Sequence, residues 1–195
     1  MDRSFFIRAV GRPQRDRLLK MYDQFDPLGG SFGLPPHTVE ARRAWIAAAL
    51  NYHVNVAAFS PDGEVVGHCF LAADKPGSAE VAIFVHQESR RRGVGTALMK
   101  AALEWGAASG LRHVWSLTSA DNRAALRLQL SCGFRLANSA SHDAEMEIDL
   151  PLSESTLPAR SATPDKPGPT SHAHRACLHK PSTATGSPPC TACCA

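Results

Sequence analysis

HQESRRRGVGTALM, His86 to Met99, is where this chain turns from an apolar strand into a helix. Arg90, Arg91 and Arg92 run into Gly93, Val94 and Gly95, and the text beyond Thr96 is helical. A helix start exposes unpaired backbone N–H groups and partial positive charge, which suits a phosphate. Gly93 and Gly95 clear side chains from the path of an approaching anion, and the three guanidinium groups can add charge-assisted hydrogen bonds. The Walker pattern is absent, and Leu98 stands where a dinucleotide G-x-G-x-x-G would need its third glycine. What remains is R-x-x-G-x-G on Arg90, Gly93 and Gly95.

Around this loop, residues 1–150 alternate strand and helix signals. Strands are expected over Phe5–Val10, Val54–Ser60, Val65–Ala72, Ala79–Val85, His113–Thr118, Phe134–Ala137 and Ala144–Leu150. Helices are expected over Arg15–Phe25, Thr38–Leu50, Thr96–Ala108 and Asn122–Ser131. In the second helix the apolar stripe runs through Val39, Ala41, Trp45 and Ala48 or Ala49; Trp105 and Trp115 are expected in the core. Pro27–Pro36 must be a loop, since Gly and Pro punctuate it. The strand Ala79–Val85 is apolar on both faces apart from Glu80, which predicts a central strand.

Three features together, R-x-x-G-x-G after AEVAIFV, the β-α-α-β-β-β-α-β-α-β-β order, and the Asn-led segment NRAALRLQLSCGF (Asn122–Phe134), resemble the GNAT superfamily of acetyl-CoA-dependent N-acetyltransferases. The AEVAIFV text is nearest to bacterial Pat-type protein lysine acetyltransferases. The resemblance implies an α/β (α+β) GNAT fold: a mixed, mostly antiparallel sheet of about seven strands, flanked by four helices and splayed at the fourth and fifth strands. It implies that Arg90, Arg91, Arg92, Gly93, Val94 and Gly95, with Thr96 capping, cradle the pyrophosphate of acetyl-CoA. The pantetheine arm would add along the strand ending at Phe84 and Val85, and Asn122 would hydrogen-bond the pantetheine or the thiol end. The resemblance implies acetyl-CoA as co-substrate and an amine acceptor as partner, with a protein lysine preferred over a small molecule and a homodimer left open.

Glu80 is the candidate general base. It is the one charged residue in an apolar strand, and such surroundings disfavour its charged form and so favour proton uptake. It precedes Val85 by five residues, ~16 Å along a strand. Many family members carry a Tyr where Gln129 stands, so the acid that meets the leaving thiolate is unassigned. Cys132 and Cys69 read better as small buried hydrophobes than as nucleophiles. His142, Asp143 and Glu145 could line an acceptor groove or be solvated; Arg42 and Arg43 could meet an acidic acceptor or be solvated. The competing function is an acyl-CoA-binding sensor with little chemistry.

Composition sets the outer limits. Residues 1–150 carry a net charge of +1 and residues 151–195 a net of +2, which leaves no basic face for a nucleic acid. No apolar run reaches membrane-span length, and no secretory signal is evident, so the expected setting is cytoplasmic. The text after Leu150 is rich in Pro, Ser, Thr and Ala, and is expected to be a disordered tail, with one catalytic domain over 1–150. Its His172, His174, Cys177, His179, Cys190, Cys193 and Cys194 match no closed zinc spacing, so no metal is expected.

Overall fold

A computed structural model describes residues 4–26, 34–140 and 143–151. Its seven strands form one sheet in the order β1-β2-β3-β4-β5-β7-β6. They are β1 (Phe6–Ala9), β2 (Val54–Phe59), β3 (Val65–Lys75), β4 (Ser78–Val85), β5 (His113–Ser119), β6 (Arg135–Ala140) and β7 (Asp143–Asp149). All neighbours are antiparallel except β4 and β5. The helices are α1 (Arg15–Asp23), α2 (Val39–Ala49), α3 (Val94–Ala108) and α4 (Arg123–Ser131).

The sheet buries both faces, which is why the central strands lack clean alternation. One face carries Ala57, Phe70, Ala72 and Phe84 against Leu18, Met21 and Tyr22 of α1 and Ile46 and Ala49 of α2. The other carries Val54, Val56, Cys69, Leu71, Val81 and Val114 against Leu98, Met99, Ala102 and Leu103 of α3. Glycine sets how closely α3 approaches: a Cβ on Gly67 of β3 would lie 2.8 Å from Leu98 Cδ1, and one on Gly106 2.7 Å from Leu71 Cδ1.

The first face also holds a polar thread. Tyr22 OH meets His68 Nδ1 at 2.8 Å, and His68 Nε2 meets Asn55 Oδ1 at 3.1 Å. Asn55 Nδ2 donates to the carbonyls of Ala49 and Tyr52, both at 3.0 Å. This joins α1, β3, β2 and the end of α2 through groups whose hydrogen bonds would be costly to break in a dry core. Burial pushes the His68 imidazole down to about 3, keeping it neutral.

The element order and the central place of β4 match expectation. Three details differ. Trp105 is 39% exposed, because α3 turns its Leu98, Met99 and Ala102 line inward; Trp115 is buried. In α2 the buried residues are Ile46 and Ala49, continued by Leu50 at its C-cap, while Val39 is 40% exposed. Arg42 is not a solvated helix-face residue: it donates to Asp23 Oδ1 at 2.9 Å and to the Pro36 carbonyl at 2.8 Å, fastening α2 to α1.

Candidate active site

The site begins where the sheet comes apart. β4 pairs with β3 along its whole length, from Lys75↔Ser78 to Gly67↔Val85. Its parallel pairing with β5 stops after Ser78↔His113, Ala79↔Val114 and Glu80↔Trp115, while β5 stays paired with β7 to Ser119. Among the described residues no strand lies beside the backbone edge of Val81–Val85. Unpaired N–H and C=O groups on such an edge can accept an extended ligand as an added strand. The gap is ~16 Å long at strand rise. Helices α3 and α4 meet across one face of it, where a Cβ on Gly95 would sit 3.2 Å from Leu128 Cδ2.

At the open end the chain leaves β4, makes a short 3-10 turn over Gln87–Ser89 and enters α3. Arg91 and Gly93 both adopt left-handed backbone conformations, with φ of 59° and 83°; such alternation curls successive amides into an anion-binding concavity. Gly93 is the N-cap, in open space, and no side chain caps the helix. Ala97 N–H to the Gly93 carbonyl, 3.0 Å, is the first bond of α3, so the amides just before it are left for a ligand. Thr96 thus lies in the first turn of α3 and is not its cap, a correction that follows from glycine reaching the left-handed region at no cost.

The three arginines divide. Arg91 and Arg92 are exposed at the loop. Arg90 folds back: its Nε donates to the Val85 carbonyl at 3.0 Å, its Nη2 donates to the Asp26 carbonyl, and its guanidinium lies 5.5 Å from the Phe25 ring centre. Gln87 works alongside it, donating to the Gln24 carbonyl at 2.8 Å and accepting from Asp26 N–H at 3.1 Å. Both tie the end of α1 to the loop. Phe84 is buried against Tyr22, Phe25 and Trp45, so β4 offers a ligand its backbone there, not that ring. Asn122 caps α4, accepting from Ala125 N–H at 3.1 Å, and lies just past β5 at the same end of the gap.

At the closed end stands Glu80, 9% exposed. The register places Glu80, Trp115, Glu147 and, two residues along, Glu145 on one face of the sheet. Trp115 Nε1 donates to Asp74 Oδ2 at 3.2 Å. Farther out Arg135 bonds both Glu147, at 2.8 Å, and Asp149, at 3.0 Å, and His113 bonds Asp149 at 3.2 Å. His113 and then Arg135 hold the exposed Asp149 carboxyl below the usual carboxylate range.

Buried polarity is concentrated at this point. Beyond Asn55 and His68, the buried polar side chains of the described residues are Ser78, Glu80, Ser116, Thr118 and Gln129, all on β4, β5 or α4. Glu80 stood out in the sequence because its strand is otherwise apolar. Ser116 and Gln129 did not, since serine in a strand and glutamine in a helix are ordinary until their burial is known. Cys69 is fully buried and burial pushes its thiol up, which suits a core residue; Cys132 is half-buried. Among the described residues no group of three or more His, Cys, Asp or Glu could hold a metal. His142 and the histidines and cysteines of the tail lie outside those residues.

The arrangement fits acetyl-CoA: an open amide cradle at the mouth, a strand edge over Val81–Phe84 with no strand beside it among the described residues, and a carboxylate at the apex. Comparison with known proteins agrees. Residues 16–134 match the model of the acetyltransferase (GNAT) family. The chain is 36% identical over 147 residues to aminoglycoside N(6')-acetyltransferase type 1 of Klebsiella aerogenes, covering 69% of this chain and 91% of that one. It is 26% identical over 140 residues to the L-methionine sulfoximine/L-methionine sulfone acetyltransferase of Pseudomonas paraeruginosa, covering 67% and 80%. In fold it resembles the GNAT domain of S. lividans PAT, with a TM-score of 0.65 at 18% identity over 74% of this chain and 89% of that one. It also resembles a phosphinothricin acetyltransferase from Sinorhizobium meliloti solved with acetyl-CoA, with a TM-score of 0.62 at 19% identity over 83% and 96%.

Proposed function

The chain belongs to the acetyltransferase (GNAT) family and is an acetyl-CoA-dependent N-acetyltransferase acting on amines; from that premise we propose how its residues divide the work. The backbone of 90–96, helped by the Arg91 and Arg92 guanidinium groups, receives the pyrophosphate. Arg90 fixes the loop's position. The edge Val81–Val85 receives the pantetheine arm, which passes Asn122 and brings the thioester to the apex. Glu80, directly or through a water, takes the proton from the acceptor amine, which is otherwise charged near neutral pH and cannot attack. Acetyl-CoA is consumed as a substrate and supplies the acyl group.

The acceptor we propose is a small-molecule primary amine. Two relatives with similar sequences act, by their names, on an aminoglycoside and on an amino-acid analogue. The carboxylates of Glu80 and Glu145 share one face of the sheet, and they would draw a cationic amine toward the apex. The preference for a protein lysine drawn from AEVAIFV has no comparable support, since the likeness to S. lividans PAT at 18% identity speaks for fold alone. The observation that carries this proposal is Glu80 standing at the last paired position of β4 and β5.

Release of free CoA thiol tests it, with panels of aminoglycosides, methionine sulfoximine and lysine peptides. Turnover on a small amine supports the proposal. Turnover on peptides alone would restore the lysine reading, and tight acetyl-CoA binding without any turnover would favour a sensor.

A further inference from the structure

We propose that the Ser116 hydroxyl, oriented by Gln129, holds the sulfur of coenzyme A and stabilises the thiolate as it leaves. The inference rests on the acetyltransferase reading and deepens it, assigning the acid-side group that the sequence left open.

The location comes first. Ser116 is the first residue of β5 beyond Trp115, the last one joined to β4. It therefore stands at the apex of the gap. Side chains alternate across a strand, so Ser116 faces the side opposite Glu80 and Trp115. On that side β5 presents Val114, Ser116 and Thr118 in turn. Val114 is apolar where β5 is still paired; the two hydroxyl residues begin where it diverges, and they are only 3% and 7% exposed. A strand changes from apolar to polar inside the core only if something polar is to be met there.

Gln129 supplies the second observation. It is 4% exposed. Its Nε2 donates to Ser116 Oγ at 2.7 Å, and its Oε1 is buried without a partner among the described residues. The bond from Gln129 fills an acceptor site on the serine oxygen and leaves the serine's own proton to be donated elsewhere. The core uses neither that proton nor the amide oxygen. Both adjoin the end of the gap where the thioester arrives, and the amide oxygen can accept the last pantetheine N–H.

The chemistry then runs across the plane of the sheet. The amine approaches from the Glu80 face. Glu80 takes one proton from the ammonium group, the freed lone pair forms the C–N bond with the acetyl carbon, and the second proton leaves the nitrogen to solvent as the adduct collapses. The C–S bond breaks and its electron pair departs on sulfur, toward Ser116. A hydroxyl is too weak an acid to be consumed in this step. It donates a hydrogen bond that lowers the energy of the thiolate, and the sulfur takes its proton afterwards from solvent.

The test uses the full chain with coenzyme A itself. The bound thiol is titrated by its thiolate ultraviolet absorbance in the unaltered protein, in Ser116→Ala, in Ser116→Thr and in Gln129→Leu. A charge-assisted hydrogen bond should make the bound thiol of the unaltered protein titrate lower than in Ser116→Ala by about one pH unit. It should also make kcat fall roughly 10- to 100-fold in Ser116→Ala, with acetyl-CoA affinity kept. Ser116→Thr, which keeps the hydroxyl, recovers part of both, and Gln129→Leu falls between. An unchanged thiol titration with kcat within about twofold in Ser116→Ala would overturn the proposal alone. Absence of coenzyme A uptake by the unaltered, folded protein would instead overturn the acetyltransferase reading beneath it.

Discussion

Single residues in this chain show how motif and geometry can part company. Arg90, Arg91 and Arg92 look equivalent in sequence, yet Arg90 is tied to the carbonyls of Val85 and Asp26. Arg92→Ala should therefore weaken coenzyme A binding by roughly tenfold and flatten its salt dependence, as loss of a charged phosphate contact would. Arg90→Ala should leave coenzyme A affinity within about threefold but lower the melting temperature and raise the acceptor KM, because it frees the end of α1. Calorimetry and steady-state kinetics on the two variants separate the roles; equal loss of coenzyme A affinity would show that Arg90 reaches the phosphates after all. Glu80→Gln should cut kcat by about 100-fold with coenzyme A affinity unchanged, and full activity across the pH range from 6 to 9 would remove Glu80 as base. Glu80 was legible beforehand because one charge in an apolar strand is conspicuous. Arg42 was not, because its partners, Asp23 and the Pro36 carbonyl, come from a helix and a loop whose meeting no local pattern announces.

Among the elements, strands and helices were readable wherever period and punctuation agreed, and boundaries moved where caps decided them. α3 starts two residues before Thr96 because Gly93 in a left-handed conformation can end the loop there. The β4–β5 divergence was legible only through the family resemblance; no residue of β4 says on its own where pairing stops. The thread Tyr22–His68–Asn55 lay hidden for the same reason, its members being 46 and 13 residues apart in pairs. It has a measurable consequence. Unfolded His68 binds a proton near its ordinary value of 6.5, but in the folded protein only near 3. The unfolded state thus binds more protons between those values, so stability is whole above pH 6.5 and is lost as pH falls toward 3. Between pH 7 and pH 4.5 this one group should cost roughly 2–3 kcal/mol. Denaturant melts of the unaltered chain and His68→Gln should show it: the variant is weaker at neutral pH but loses less on acidification. Parallel losses in both would mean that His68 carries none of the acid sensitivity.

For the whole molecule, the two faces of one sheet differ, with α3 and α4 beside the β4–β5 gap on one side and acidic side chains around Glu80 on the other. All the groups assigned a part in binding or catalysis fall between Glu80 and Glu147, and β7 ends at Asp149. A chain ending at Pro151 should therefore fold, bind coenzyme A and turn over acceptor within about twofold of the full chain. Circular dichroism and the thiol-release assay would check this, and a large loss would assign the tail a part in catalysis or folding. The helix mouth and the parted strands should grip one ligand together. A crystal structure with acetyl-CoA bound tests that most directly. The diphosphate should lie within hydrogen-bonding distance of the amides of residues 91–96, with the pantetheine along Val81–Val85 and the thioester between Glu80 and Ser116. Density for the diphosphate at any other place, with the β4–β5 gap empty, would contradict it.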